Sequence, residues 1–151
     1  MVGNNIVSRW NRGNLLEEER AAYIKKNTLR CPINNTFKIM GKKFTVLILR
    51  NMLYLNQTRF NKLLDSIEEI NAKTLSSRLK EMERDGLVER RIFHESPVRI
   101  EYYMTEKGRA LAPVLEQMAA FSMKYYAKDI FKDKKLRTFE EVFGFEPIQN
   151  K

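Results

Sequence analysis

Apolar residues recur at intervals of three and four through most of this chain, and the interval shortens to two in one stretch. Across residues 44–55, Phe44, Leu47, Ile48, Met52 and Leu55 follow the i, i+3, i+4 rule, and Val46, Leu49 and Leu53 widen the stripe. That width predicts the most buried helix of the fold. A second stripe, Phe60, Leu63, Leu64 and Ile67, follows Thr58, a residue suited to an N-cap. Asn71 is a further N-cap and opens a helix over 72–85 whose apolar positions are Leu75, Leu79 and Met82. Gly86 supplies the left-handed stop. Period two then predicts strands over 87–93 and 99–104, with Ile100, Tyr102 and Met104 on one face and a loop at 94–98 between them. Thr105 caps a final long helix reaching residue 128, in which Pro113 forces a kink or a division. Its stripe is Leu111, Val114, Leu115, Met118, Phe121 and Tyr125.

The flanks are less regular. Residues 1–13 read as loosely held, and Asn14-Leu15-Leu16-Glu17 resembles a capping box. The helix it opens carries Leu16, Tyr23 and Ile24 on one face and ends at Cys31-Pro32, because the residue before proline avoids the helical region. A short helix over 34–40 closes at Gly41, and Thr138-Phe139-Glu140-Glu141 forms a second capping box with a stop at Gly144. The fold class is therefore mainly α with a small β-hairpin (α+β). The two helices around the 68–71 turn make a helix-turn-helix, and the hairpin after it makes a wing. Three regions follow: a partly helical N-terminal extension over 1–30, a winged helix-turn-helix DNA-binding domain over 31–107, and a C-terminal dimerisation helix and tail over 108–151.

Charge points to a polyanionic partner. The net charge is +9 and the sequence pI about 9.7, which brings nucleic acid or an anionic membrane surface into view. The excess is uneven: residues 1–58 hold 10 Lys and Arg against 3 Asp and Glu, whereas residues 59–107 hold 10 against 10. The apolar run over 45–49 stops at Arg50, far short of the roughly 20 residues that cross a bilayer. No secretory pattern opens the chain, and a single cysteine excludes an intramolecular disulfide framework. The expectation is a cytoplasmic protein with no membrane partner.

On the predicted 72–85 helix the apolar stripe turns Lys73, Ser77 and Lys80 to the opposite side, with Thr74 and Ser76 at the edges. Cations and hydroxyls without a carboxylate suit phosphate oxygens and base edges in a major groove. Arg78 sits nearer the core flank, within reach of a phosphate or a carboxylate. The hairpin adds Arg90, Arg91 and Arg99 at its base and His94 and Ser96 in its loop, placed for backbone or minor-groove contact. Thr58 and Arg59, and likewise Lys42 and Lys43, precede helices whose N-termini favour phosphate.

Other chemistries find no residues. One histidine and one cysteine cannot build a zinc site within a chain, so no metal is expected. No nucleophile is paired with a base, the glycines are isolated, and neither an enzyme nor a cofactor is implied. Cys31 is either a thiol sensor or a capping cysteine, and as the only cysteine it lacks a resolving partner in its own chain. The terminal helix is apolar on two sides, so it packs against two things. Leu111, Val114, Leu115, Met118, Phe121 and Tyr125, with Leu16 and Tyr23, are the candidate seam of a homodimer, and a C-terminal segment folding back is the alternative.

These residues together resemble the HxlR family of winged-helix regulators, relatives of the MarR group. The resemblance is carried by Cys31-Pro32-Ile33, by Ile39-Met40-Gly41-Lys42-Lys43-Phe44, by 73–83, by Asp85-Gly86-Leu87-Val88-Glu89-Arg90, by 97–102 and by Thr105-Glu106-Lys107-Gly108. It implies a homodimer on a pseudo-palindromic operator in double-stranded DNA, with dimerisation through the terminal helices. Some members sense oxidants or electrophiles through the cysteine that matches Cys31, so the resemblance makes Cys31 a candidate redox sensor; a small-molecule or redox effector is left open. The family's usual Gly-Gly-Lys-Trp is here Gly41-Lys42-Lys43-Phe44. The alternative is a winged helix that serves only protein–protein contact.

Overall fold

The structure, a computed structural model, describes residues 17–144. The reading of residues 1–13, Leu16 and all but the last residue of the capping box at 14–17 lie outside the described residues. The chain forms two compact units, residues 1–38 and 39–151.

In the first unit α1 spans Glu17–Asn27, with three glutamates in its first turn and Lys25 and Lys26 in its last, matching the helix dipole at both ends. It stops four residues short of the expected Cys31-Pro32 boundary. The Thr28 hydroxyl donates back to the Ile24 carbonyl at 2.9 Å, occupying the first acceptor that a further turn would have used, and the Asn27 amide donates to the Tyr23 carbonyl at 2.7 Å. Helix α2 covers Pro32–Met40, starting at the proline rather than at 34, since the N–H missing from a first-turn proline has no helical partner to lose.

The second unit runs α3 (Thr45–Tyr54), α4 (Phe60–Ser66), α5 (Ala72–Arg84), β1 (Val88–Phe93), β2 (Arg99–Met104), α6 (Glu106–Arg109), α7 (Ala112–Tyr125), α8 (Ala127–Ile130) and α9 (Phe139–Phe143). The predicted stripes meet in one core. Ile48, Leu49 and Met52 of α3 join Leu63 of α4, Leu75, Leu79 and Met82 of α5, and Leu87, Val88 and Leu115. Each fully buried aliphatic side chain contributes about 1.5–3 kcal/mol. Asn51 is fully buried among them, and it is satisfied: its amide donates to Ser66 Oγ at 2.8 Å and Gln57 Oε1 at 3.1 Å, tying α3 to α4.

Asn71 caps α5 as expected, its Oδ1 accepting from the Thr74 N–H at 2.8 Å. The helix ends in a Schellman motif: Gly86 is left-handed at φ 74, its N–H donates to Glu83 O, and the Leu87 N–H donates to Met82 O. Strand β1 therefore starts at Val88 rather than 87. The strands pair antiparallel from Val88↔Met104 to Phe93↔Arg99.

Thr58 is not a cap. Arg59 holds the N-cap position of α4 with extended backbone and no side-chain cap bond. Thr58 O instead accepts the Tyr102 N–H at 2.8 Å, and Arg59 pairs with Glu101 as an isolated antiparallel bridge. The segment entering α4 is thus a short third edge on the wing, which requires the extended backbone seen at Arg59.

Pro113 divides the expected terminal helix. Thr105 caps only α6, accepting from Gly108 N at 3.0 Å, and Pro113 sits in the first turn of α7. The facing of the stripe also needs correction: Leu115 is buried and Leu111 packs on the core, so these two serve their own chain. Val114, Met118, Phe121 and Tyr125 are exposed. The C-terminal segment does fold back, against α7 and α3: Phe139 and Phe143 stack at 4.4 Å, stand 5.8 and 5.5 Å from the Tyr54 ring, and line one hollow with Leu115, Met118 and Ala119. The Thr138–Glu141 capping box fixes α9, and Gly144 ends it at φ 80. Burial, with Glu116 beside it, pushes the Tyr54 phenol up to about 12.

Gly108 marks the tightest approach. A Cβ there would stand 2.1 Å from the Leu87 carbonyl oxygen, a backbone atom that cannot swing aside. Gly108→Ala is expected to destabilise the domain by about 2 kcal/mol or more, read as a lower urea midpoint. An unchanged midpoint would show that the α6–β1 junction yields.

Candidate nucleic-acid interface

Burying Leu75, Leu79 and Met82 leaves Lys73, Ser77 and Lys80 exposed along one side of α5, with Thr74 and Ser76 half-buried at its margins. Arg78 is used inside the protein. Its Nε donates to the Lys43 carbonyl at 3.0 Å and its Nη1 to Glu81 at 2.9 Å. Lys42 meets the other Glu81 oxygen at 3.1 Å, so one carboxylate fastens the segment before α3 to α5. Partial burial works to raise the Glu81 pKa, but the Lys42 hydrogen bond and the charges of Arg78 and Lys42 outweigh it and hold the carboxyl below its usual range. Lys43 stays open, 72% exposed and 4.0 Å from the exposed Glu69.

The wing's arginines are held by its own acids. Arg91 pairs with Glu89 at 2.9 Å and lies over the Tyr103 ring at 4.5 Å. Arg99 reaches Glu95 at 2.9 Å and Glu101 at 3.2 Å and lies over Phe93 at 4.4 Å. Arg59 meets Glu101 at 3.3 Å. Arg90, His94 and Ser96 are exposed and Thr58 is half-buried.

Two residues escaped the sequence reading. Lys62, exposed on α4, shares a groove with Arg59, Pro97, Val98 and Arg99. Glu101 is 6% exposed although the strand pattern turned it outward. Nothing in period two foretells the Thr58–Arg59 edge that covers it; the neighbouring Arg99 and Tyr103, two residues away on the same strand face, were the available signal.

Cys31 is exposed. Tyr23 is exposed on α1, and Val114, Met118 and Phe121 line an open apolar hollow on α7 with Pro113. Among the described residues no helix is long and apolar enough to cross a membrane.

A helix-turn-helix of α4 and α5 followed by an antiparallel hairpin defines a winged helix-turn-helix protein. Residues 39–130 match the family model described as HxlR-like helix-turn-helix, and the chain belongs to that family of transcriptional regulators. It is 36% identical over 96 residues to the HTH-type transcriptional regulator YodB of Bacillus subtilis, covering 64% of this chain and 85% of YodB. It is 38% identical over 88 residues to the HTH-type regulator sll1512 of Synechocystis, covering 58% of this chain and 64% of that protein. Among solved structures, reduced YodB aligns with a TM-score of 0.56 at 34% identity over 65% of this chain and 96% of its own. The redox regulator HypR in its reduced form gives 0.59 at 29% identity, over 68% and 99%. The family and these relatives are regulators rather than enzymes. The family match leaves out α1, most of α2 and α9.

Glu81 makes the interface acid-sensitive. A depressed carboxyl pKa contributes stability that is present above the unfolded value and lost as pH falls through the folded one. Thermal melts between about pH 5 and pH 3 are expected to show a steeper loss for the wild type than for Glu81→Gln. Parallel curves would mean that the Lys42–Glu81–Arg78 cluster contributes nothing.

Proposed function

We propose that the chain is a homodimeric, sequence-specific regulator that binds a pseudo-palindromic operator in duplex DNA, with α5 in the major groove. The observation that carries the reading is the α5 face: Lys73, Ser77 and Lys80 are exposed together, and the apolar stripe that fixes their direction is buried. Arg90 and the loop residues His94 and Ser96 extend this surface towards the neighbouring backbone, with Thr58, Arg59, Lys42, Lys43, Arg91 and Arg99 supporting it. Such a protein acts in the cytoplasm.

The exposed Val114, Met118, Phe121 and Tyr125 support the second half of the reading, since a large apolar face on a terminal helix gains most by meeting its own copy across a twofold axis. Tyr23, exposed on α1, is a separate candidate contact with a partner copy. In this reading residues 31–107 bind DNA, 108–151 dimerise, and 1–30 form an extension. Cys31 supplies the thiol of a redox response; with no second cysteine in the chain it reports through an intersubunit disulfide or a small-molecule thiol cap. A winged helix confined to protein–protein contact is the second reading, and one observation favours it: Arg59, Arg91 and Arg99 already face carboxylates of their own chain.

Salt separates the two. Binding to duplex from upstream of the chain's own gene should weaken steeply with salt, and Lys73→Ala should weaken it several-fold and reduce the log–log salt slope by about 0.9 without lowering the melting temperature. A flat salt response would favour the second reading, and a melted variant would contradict the facing of α5.

The seam is tested by sedimentation. The wild type is expected at twice the 17.9 kDa chain mass, and Met118→Asp combined with Phe121→Asp at the monomer mass with the helical content retained. A variant that stays dimeric would place the seam elsewhere.

A further inference from the structure

Within the hairpin, the buried charge is Glu101. Its Oε1 accepts from Arg59 Nε at 3.3 Å and forms an ion pair with Arg99 Nη1 at 3.2 Å, and its Oε2 accepts from the Tyr103 hydroxyl. The three partners come from two parts of the fold. Arg59 heads the helix-turn-helix, whereas Arg99 and Tyr103 flank Glu101 on the same face of β2. The backbone is stitched at the same point by the Thr58 O to Tyr102 N–H bond. Glu101 thus sits where the helix-turn-helix joins the wing.

A carboxylate at this place opposes DNA binding by simple electrostatics, because it repels phosphate and cancels one of two nearby cations. Its geometry offsets that. The Glu101 side chain is 8% exposed while that of Arg59 is 56% exposed, so the acid is hidden and the cation it grips is presented. Arg59 spends Nε on the acid, and the Nη groups carry its other donors. Without the acid, two like charges and two long side chains would spread and lose the fixed spacing that docking on a phosphate run requires.

We propose that Glu101 is a positioning residue of the DNA interface: its buried carboxylate locks Arg59 and Arg99 into one rigid cation pair across the joint between helix-turn-helix and wing, so that selective binding depends on a negative charge that weakens unselective binding. This rests on the reading of the chain as a DNA-binding regulator. The pair has opposite effects on two kinds of DNA, which separates positioning from mere stability. A variant that is only partly folded binds every duplex more weakly in the same proportion. A variant that has lost positioning binds the selected duplex more weakly and the unselected one as well as before or better, because one negative charge has gone.

The test compares wild type with Glu101→Gln by fluorescence anisotropy, on duplex from upstream of the chain's own gene and on a shuffled duplex of equal length, across a salt series. Glu101→Gln is expected to lose about tenfold on the promoter duplex and to hold or gain on the shuffled one, with a salt slope on the latter no shallower than the wild type's. In an Arg59→Ala, Arg99→Ala background the same substitution should cost little, since the residues it acts through are gone. An equal loss on both duplexes, an unchanged ratio, or full additivity in that background would overturn the proposal. If Glu101→Gln does not fold, Tyr103→Phe carries the test: a lower promoter-to-shuffled ratio supports positioning and an unchanged ratio overturns it. Wild-type protein that shows no preference for the promoter duplex would remove the DNA-binding reading itself, and the proposal with it; a selective wild type with an equally selective Glu101→Gln removes only the proposal.

Discussion

The burial of Leu75, Leu79 and Met82 of α5 in the core they share with Ile48, Leu49 and Leu63 is the constraint on which the other features depend. A helix has one rotation about its axis, and spending one side on a core decides what the other side offers. Here that side offers Lys73, Ser77 and Lys80. The Asn71 cap and the Schellman turn at Gly86 fix where α5 begins and ends, so the same packing also sets where the wing departs.

Around that frame the charges are leashed rather than scattered. Glu81 gathers Lys42 and Arg78, and Glu101 gathers Arg59 and Arg99. The Lys42–Glu81 pair is open to solvent, and such pairs add little stability, typically below about 1 kcal/mol each. Their effect here is geometric, since each joins elements far apart in sequence: the segment before α3 to α5, and the entrance of α4 to β2. A regulator that reads a groove needs its cations at fixed spacings more than it needs them in number.

Much of this was legible in the pattern of apolar positions. The period of 3.6 found α3, α4 and α5, the switch to period two found the hairpin, and Asn71, Thr138, Gly86 and Gly144 announced their own caps and stops. What stayed hidden has a common cause: it depends on partners remote in sequence. Thr58 looks like a cap until β2 claims its carbonyl. Glu101 looks like an outward strand residue until the Arg59 edge covers it. Leu111 and Leu115 look continuous with Val114, Met118 and Phe121 until the core of the domain claims the first two. Lys62 carries no local signal at all, and only the fold sets it beside the wing.

The facing of α5 and the proposed twofold arrangement meet in one observable, the reactivity of guanine N7 in the major groove. Dimethyl sulfate footprinting of the chain on duplex from upstream of its own gene should protect two patches about one helical turn, roughly 10 base pairs, apart. Protection confined to the minor groove, or a single patch with no symmetric mate, would contradict the account.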